Sequence, residues 1–161
     1  MIEVEIRESE GRGLGVFALS PIPSGERIRI VNIEREVTEE QPLGPKDNPD
    51  HAFLSDGKIL LVGEPDRYLN HSCNPNAGLR FDGVYINLIA IVDIQAGQEI
   101  TFDYSTTMQA FGFEMACACG APNCRGTVKD FIHIPNETQR KYIHLGIVPN
   151  YILPAGPGRL L

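Results

Sequence analysis

The sequence predicts a mainly β fold of many short strands, closed by one short C-terminal helix. Three observations carry this expectation. Gly (16) and Pro (12) are abundant, a load of turn formers that favours short strands over long helices. Residues 2–7, Ile-Glu-Val-Glu-Ile-Arg, alternate apolar and charged side chains with the period of a half-buried strand. Two pairs of apolar runs are each split by an Asp-Gly turn, at Asp56-Gly57 and at Asp82-Gly83. At 161 residues the chain reads as one domain able to bury a core.

The elements follow in order. After the strand at 2–7, Gly11-Arg12-Gly13-Leu14-Gly15 places glycine at every second position. That spacing allows either a close backbone approach to a ligand or a tight turn. It is not G-x-G-x-x-G and no helix pattern follows, so a dinucleotide site is not expected. Val16 to Leu19 reads as a strand, Pro21 to Gly25 as a turn, and 26–37 as one or two strands. Ile22-Pro23-Ser24-Gly25-Glu26-Arg27-Ile28 is echoed by Ile94-Gln95-Ala96-Gly97-Gln98-Glu99-Ile100 in its Ile, Gly and Ile positions, which suggests two similar corners in one β structure. Residues 38–50 are polar with three prolines and read as a surface loop. His51 to Leu54 and Lys58 to Val62 form a hairpin; Ala77 to Phe81 and Val84 to Val92 form another; Ile100 to Tyr104 is the last clear strand. A helix is expected from Glu137 to Leu145, with Asn136 as its cap and Gly146 and Pro149 ending it. Beyond it, Pro154 to Gly158 cannot continue regular structure and reads as a fraying end.

Charge and composition narrow the function classes. The net charge is −7, most of it in the first 60 residues, where 12 acidic side chains stand against 7 basic ones. Such a chain is a poor direct reader of nucleic acid. It suits a basic partner such as a Lys-rich peptide, or the charge serves solubility alone. No apolar run approaches the roughly 20 residues that span a bilayer. No basic region followed by an apolar stretch opens the chain, so an intracellular, reducing location, cytoplasmic or nuclear, is expected. Oligomeric state is not legible.

The densest chemistry lies in Arg67-Tyr68-Leu69-Asn70-His71-Ser72-Cys73-Asn74-Pro75-Asn76. Side-chain amides, an imidazole, hydroxyls and a thiol are too polar for a core strand, so the stretch is either a site or an Asn/Pro turn. Cys117, Cys119 and Cys124 follow the spacing C-x-C-x4-C, with Gly120 and Pro122 letting the chain fold back. Three soft ligands in eight residues point to a metal, with disulfides as the alternative. A structural zinc site takes four ligands, and the single remaining cysteine is Cys73. If Cys73 completes the set, the metal has no open position. It then pins the segment around 117–124 onto the Asn70–Asn76 stretch.

Taken together, these residues resemble the SET domain with its post-SET zinc segment, the fold of protein lysine methyltransferases. Gly13-Leu14-Gly15 is similar to the family's N-terminal G-x-G, and 67–76 to its R-F-I-N-H-S-C-x-P-N. Glu99-Ile100-Thr101-Phe102-Asp103-Tyr104 is similar to E-L-T-x-D-Y, and Cys117 to Gly126 to C-x-C-G-x-x-x-C-R-G. The resemblance covers roughly 2–130. It implies a β-clip of small sheets with a C-terminal pseudo-knot, organised as a SET domain over 1–106, a post-SET zinc segment over 107–130 and a helical tail over 131–161.

The resemblance also implies S-adenosylmethionine-dependent methyl transfer to a lysine of a protein substrate. Arg12, Gly13, Leu14, Asn70, His71 and Tyr104 would hold the cofactor, and Tyr104 would be the active-site tyrosine. Cys73, Cys117, Cys119 and Cys124 would hold one structural zinc. The bland readings are a core aromatic for Tyr104 and a stabilising network for Asn70 and His71. The alternative at the level of the whole chain is a zinc-stabilised SET-fold interaction module without catalysis. Three departures bear on substrate choice. His51-Ala52-Phe53-Leu54 stands where many members carry a tyrosine, Ile59 to Val62 lacks the family's aspartate, and no cysteine-rich pre-SET segment is expected, since residues 1–12 hold no cysteine. The tail either packs on the core or binds a partner.

Overall fold

The computed structural model describes residues 2–108, 112 and 114–153; the stretch Pro154 to Gly158, expected to fray, lies outside them. Among the described residues, twelve short strands form five small sheets. β1 (Val4–Ser9) pairs antiparallel with β2 (Gly13–Ala18). β3 (Arg27–Ile30), β9 (Ile86–Ala90) and β8 (Ala77–Phe81) make one three-stranded sheet in that order. β4 (Ile33–Val37), β6 (Lys58–Val62) and β5 (Ala52–Ser55) make a second. β7 (Asn70–His71) pairs parallel with β10 (Thr101–Phe102), and β11 (Glu114–Ala116) pairs antiparallel with β12 (Thr127–Lys129). Among the described residues no helix is long and apolar enough to cross a membrane.

The turn chemistry explains the two hairpins. Asp56 (φ 49°) and Gly57 (φ 77°) both take positive φ between the paired Ser55 and Lys58, the geometry of a two-residue loop. At the second hairpin Asp82 Oδ1 accepts the backbone N–H groups of Val84 (3.0 Å) and Tyr85 (2.7 Å).

The two similar corners face each other. Ile22 and Ile94 exchange backbone hydrogen bonds (2.8 and 2.9 Å). Gly25 N donates to Ala90 O (2.8 Å) and Gly97 N to Ala18 O (2.7 Å), while Ala18 N reaches Gln98 O and Ala90 N reaches Glu26 O, both at 3.0 Å. One constant offset in residue number maps each bond onto its counterpart, so the corners are related by a local two-fold. Ile22, Ile28, Ile94 and Ile100 are all fully buried at this junction and anchor the main core with Val16, Ala18 and Leu88.

The last strand is shorter than expected. β10 stops at Phe102 and Tyr104 opens a 3₁₀ turn, Tyr104–Thr107. Asp103 causes the change, because its Oδ1 accepts Ser105 N (3.1 Å) and caps the turn. The segment 99–104 lies against 69–76 throughout. Asn76 Nδ2 donates to Glu99 O (2.7 Å), Thr101 N to Asn76 Oδ1 (2.9 Å), and Ser72 N to Phe102 O (3.0 Å). This parallel crossing is the one a pseudo-knot requires.

The tail joins the core. Helix α1 spans Asn136–His144, but Pro135 takes the cap position and Asn136 lies in the first turn, so Asn136 is not the expected cap. Proline offers no side-chain cap, and its carbonyl accepts the first intrahelical bond, from Gln139 N (3.0 Å). Phe131, Ile134, Tyr142, Ile147, Val148 and Ile152 form a second apolar cluster. Ile147 covers Gly78 so closely that a Cβ there would come within 2.6 Å of it. Arg80 Nη2 donates to Leu145 O (3.0 Å), and Tyr151 meets Phe81 edge-on and bonds Leu54 O (3.4 Å).

Candidate active site and metal centre

Three features meet where β7 crosses β10. The first is the glycine turn. Gly11 (φ 71°) and Gly13 (φ 73°) occupy the left-handed region open to glycine, so the turn before β2 keeps a bare backbone. Gly15 is needed for space, because a Cβ there would strike the Glu99 carboxylate. Asn70 Nδ2 donates to Leu14 O (3.0 Å) and to Glu99 Oε1 (2.8 Å). Glu99 Oε2 takes Arg12 Nη2 (2.5 Å) and Ser9 Oγ (3.0 Å). Arg12, Gly13, Leu14 and Asn70 are thus brought to one place, beside an open concavity over Glu8 to Leu14.

The second feature is Tyr104. Its hydroxyl donates to Leu69 O (2.8 Å), its ring lies 4.9 Å from Phe102 and meets His71 edge-on at 5.3 Å. Burial pushes the phenol up to about 12, so it stays protonated near neutrality. Tyr104 forms one wall of an apolar cavity of about 130 Å³ that Leu69, Phe102, Val62, His51 and Phe53 also line. The departures noted in the sequence, His51 and Phe53, therefore face this cavity, with His51 edge-on to Tyr68.

The third feature is the cysteine cluster. β11 and β12 bring the ends of the 117–124 segment together, and its turn reaches back to Cys73. Cys117 Sγ lies 3.8 Å from Cys73 Sγ and 3.6 Å from Cys124 Sγ; Cys119 Sγ accepts the Cys73 N–H at 3.4 Å. All four are free thiols. Zinc with Zn–S bonds of about 2.3 Å at tetrahedral angles separates its sulfurs by about 3.8 Å. The Cys73–Cys117 and Cys117–Cys124 pairs match that spacing, while Cys124 lies outside the group of His71, Cys73, Cys117 and Cys119 whose ligand atoms all fall within 4.8 Å of one another.

His71 lies at the edge of the same cluster, its ring nitrogen within 4.8 Å of the sulfurs of Cys73, Cys117 and Cys119. Both imidazole nitrogens are spent inside the protein. Nδ1 faces the Tyr104 N–H (3.2 Å), which can only donate, so Nδ1 is the acceptor. Asp103 Oδ1, 3.5 Å from Nδ1, is already engaged by Arg125 and Ser105. Burial holds the imidazole neutral, with its pKa lowered to about 4. The remaining proton therefore sits on Nε2, aimed at Cys73 Sγ at 3.3 Å. A protonated nitrogen is no metal ligand, so His71 acts as a hydrogen-bond donor to the sulfur.

Sequence reasoning did not single out Glu99, Asp103 and Arg125. All three lie inside the quoted motifs. Only Asp103, between Phe102 and Tyr104, carries a local signal as a charge among aromatic neighbours; it is 1% exposed and Arg125 pairs with it through two 2.8 Å bonds.

Comparison with known proteins agrees with this architecture. The family model described as the SET domain matches residues 13–105. The chain is 43% identical over 138 residues to mouse histone-lysine N-methyltransferase NSD3, covering 77% of this chain and 10% of that protein. It is 30% identical over 135 residues to histone-lysine N-methyltransferase trr of Drosophila melanogaster, covering 76% and 6%. The chain thus spans a small part of these relatives' length. Among solved structures, KRYPTONITE in complex with mCHH DNA, H3(1-15) peptide and SAH superposes with a TM-score of 0.58 at 24% identity, over 80% of this chain and 30% of that one. The likeness is one of fold. With the family model matched over more than half of its length, the chain belongs to the SET domain family.

Proposed function

We propose that the chain transfers a methyl group from S-adenosylmethionine to a lysine side chain of a protein substrate. The observation that carries this reading is the position of Tyr104, a wall of the apolar cavity on one side and in contact with the Asn70-His71 strand on the other. The names of its relatives, histone-lysine N-methyltransferases, support the same chemistry.

The cofactor supplies a methyl group on a positively charged sulfur. The bare backbone of Arg12 to Leu14 and the side chain of Asn70 would hold it, and Glu99 fixes both Arg12 and Asn70. Tyr104 has spent its proton on Leu69 O, so its lone pairs remain to orient an incoming amine. The amine must lose its proton before attack, and an apolar channel favours the neutral form. Phe102, Val62 and Phe53 provide that surface, and the site's task is alignment. Cys73, Cys117, Cys119 and Cys124 would hold one structural zinc in a reducing, intracellular setting, with His71 donating to Cys73.

The substrate class is a lysine-bearing basic peptide. Net charge of −7 favours such a partner, and the KRYPTONITE complex contains an H3(1-15) peptide. The test is transfer of labelled methyl groups to histone-derived peptides and to cell-extract proteins, with mass-spectrometric identification of the product. Absence of S-adenosylmethionine binding at millimolar concentration would overturn the enzyme reading and favour a non-catalytic interaction module.

A further inference from the structure

The C-terminal tail enters the site through one hydroxyl. Helix α1 buries a single side chain, Tyr142, and its hydroxyl donates to Asp103 Oδ2 at 3.1 Å. Asp103 receives three further donors. Arg125 Nη1 reaches Oδ2 and Nη2 reaches Oδ1, both at 2.8 Å, and Ser105 N reaches Oδ1 at 3.1 Å. A carboxylate offers about four lone-pair positions, and here each oxygen takes two donors. Burial, reinforced by the Asp103 carboxylate, pushes the Tyr142 phenol far above its ordinary value, so it remains a donor.

This carboxylate joins three parts of the chain. Arg125 follows Cys124 and gives its backbone N–H to Cys73 Sγ (3.4 Å), so it belongs to the cysteine segment. Asp103 precedes Tyr104 and caps the turn that Tyr104 opens. Tyr142 brings the tail. We propose that Tyr142 is a positioning residue: by completing the shell of Asp103 it fixes Arg125, and through Arg125 it holds the 117–126 segment against Tyr104. The tail is then a working part of the site as well as a cover for the β8–β9 sheet. The functional sense of this role rests on the methyltransferase reading, while the positioning itself does not.

The test compares two hydroxyl deletions in the same tail of the full chain. Tyr142→Phe removes the bond to Asp103. Tyr151→Phe removes the bond to Leu54 O at the other end of the tail and touches none of the site. The first readout is amide hydrogen exchange across 117–126. Loss of a buried hydrogen bond to a charged group should accelerate exchange there about tenfold in Tyr142→Phe and leave it unchanged in Tyr151→Phe. The second is a split in kinetics: the KM for S-adenosylmethionine rises by a similar factor while kcat changes less. Unchanged exchange at 117–126 in Tyr142→Phe, or equal acceleration in both variants, overturns the proposal. Should Tyr142→Phe not fold, Arg125→Lys keeps the charge, breaks the paired contact to Asp103 and must loosen the same segment. If the wild-type chain binds no S-adenosylmethionine, the methyltransferase reading fails and the exchange comparison still decides the role of Tyr142.

Discussion

Asn70 commits one amide nitrogen to two acceptors from distant parts of the chain, Leu14 O at 3.0 Å and Glu99 Oε1 at 2.8 Å. The glycine turn, the N-H-S-C strand and the segment leading into β10 are thereby locked to one carboxylate. Its second oxygen holds Ser9 and Arg12, and its backbone carbonyl holds Asn76.

Removing that carboxylate should therefore act on two scales. Glu99→Ala strands the donors of Asn70, Ser9 and Arg12, of which water can re-solvate the more exposed. We expect a loss of about 1–3 kcal/mol in chemical denaturation. The dissociation constant for S-adenosylmethionine should rise, since Asn70 and Arg12 lose their orientation. Glu99→Gln keeps the shape and should lose less. Calorimetric titration that finds equal cofactor affinity in Glu99→Ala and wild type would refute the link.

The same carboxylate explains Gly15. Its Cβ would overlap Glu99 and lie 3.1 Å from the Phe17 ring, whereas Gly13 has nothing within 4 Å and needs glycine for its φ of 73°. Gly15→Ala should cost about 1–3 kcal/mol by overpacking. Gly13→Ala should cost about 1–2 kcal/mol through backbone strain alone. In a double-mutant cycle, Glu99→Ala should recover part of the Gly15→Ala loss and none of the Gly13→Ala loss. Strict additivity of Gly15→Ala with Glu99→Ala would show that the clash is not the cause.

Much of this was legible in the chain. Alternation and Asp-Gly turns set the hairpins, because period and turn chemistry are local properties. The corner echo at Ile22 and Ile94 hinted at a repeated geometry, but only the fold shows the two corners bonded to each other. The end of β10 was misread because Asp103 prefers to cap a turn over extending a strand, a competition that periodicity does not register. The cysteine count brought Cys73 to the 117–124 segment. Glu99, Asp103 and Arg125 were passed over because a charge looks solvated until its partners, dozens of residues away, are known. Tyr142 carries no local signal at all, since a helical tyrosine reads as ordinary amphipathic packing.

The donor set at the metal centre can be counted. The intact chain should hold about one zinc per molecule by elemental analysis. Cys73→Ser and Cys124→Ser should lower that toward zero. His71→Ala should keep the metal, as its Nε2 donates to Cys73 and does not ligate, although release to a chelator should quicken. Loss of zinc in His71→Ala together with retention in Cys124→Ser would reverse the assignment and make His71 the fourth ligand.

Tyr104 has a pH signature. Burial raises its phenol to about 12 from an ordinary value of 10. A folded-state value above the unfolded one means that this stabilisation is complete below pH 10 and is lost as pH rises from 10 toward 12. It amounts to about 2–3 kcal/mol. Between pH 7 and 10 the phenol therefore keeps its proton and is no general base. The rate of methyl transfer in that range should follow only deprotonation of the substrate lysine, rising about tenfold per pH unit while the amine remains largely protonated. Tyr104→Phe should lower the rate by about 10²-fold through lost alignment while leaving the slope unchanged. A pH–rate profile in which Tyr104→Phe abolishes the slope would make the tyrosine a proton acceptor, and an undiminished rate would remove its hydroxyl from the reaction.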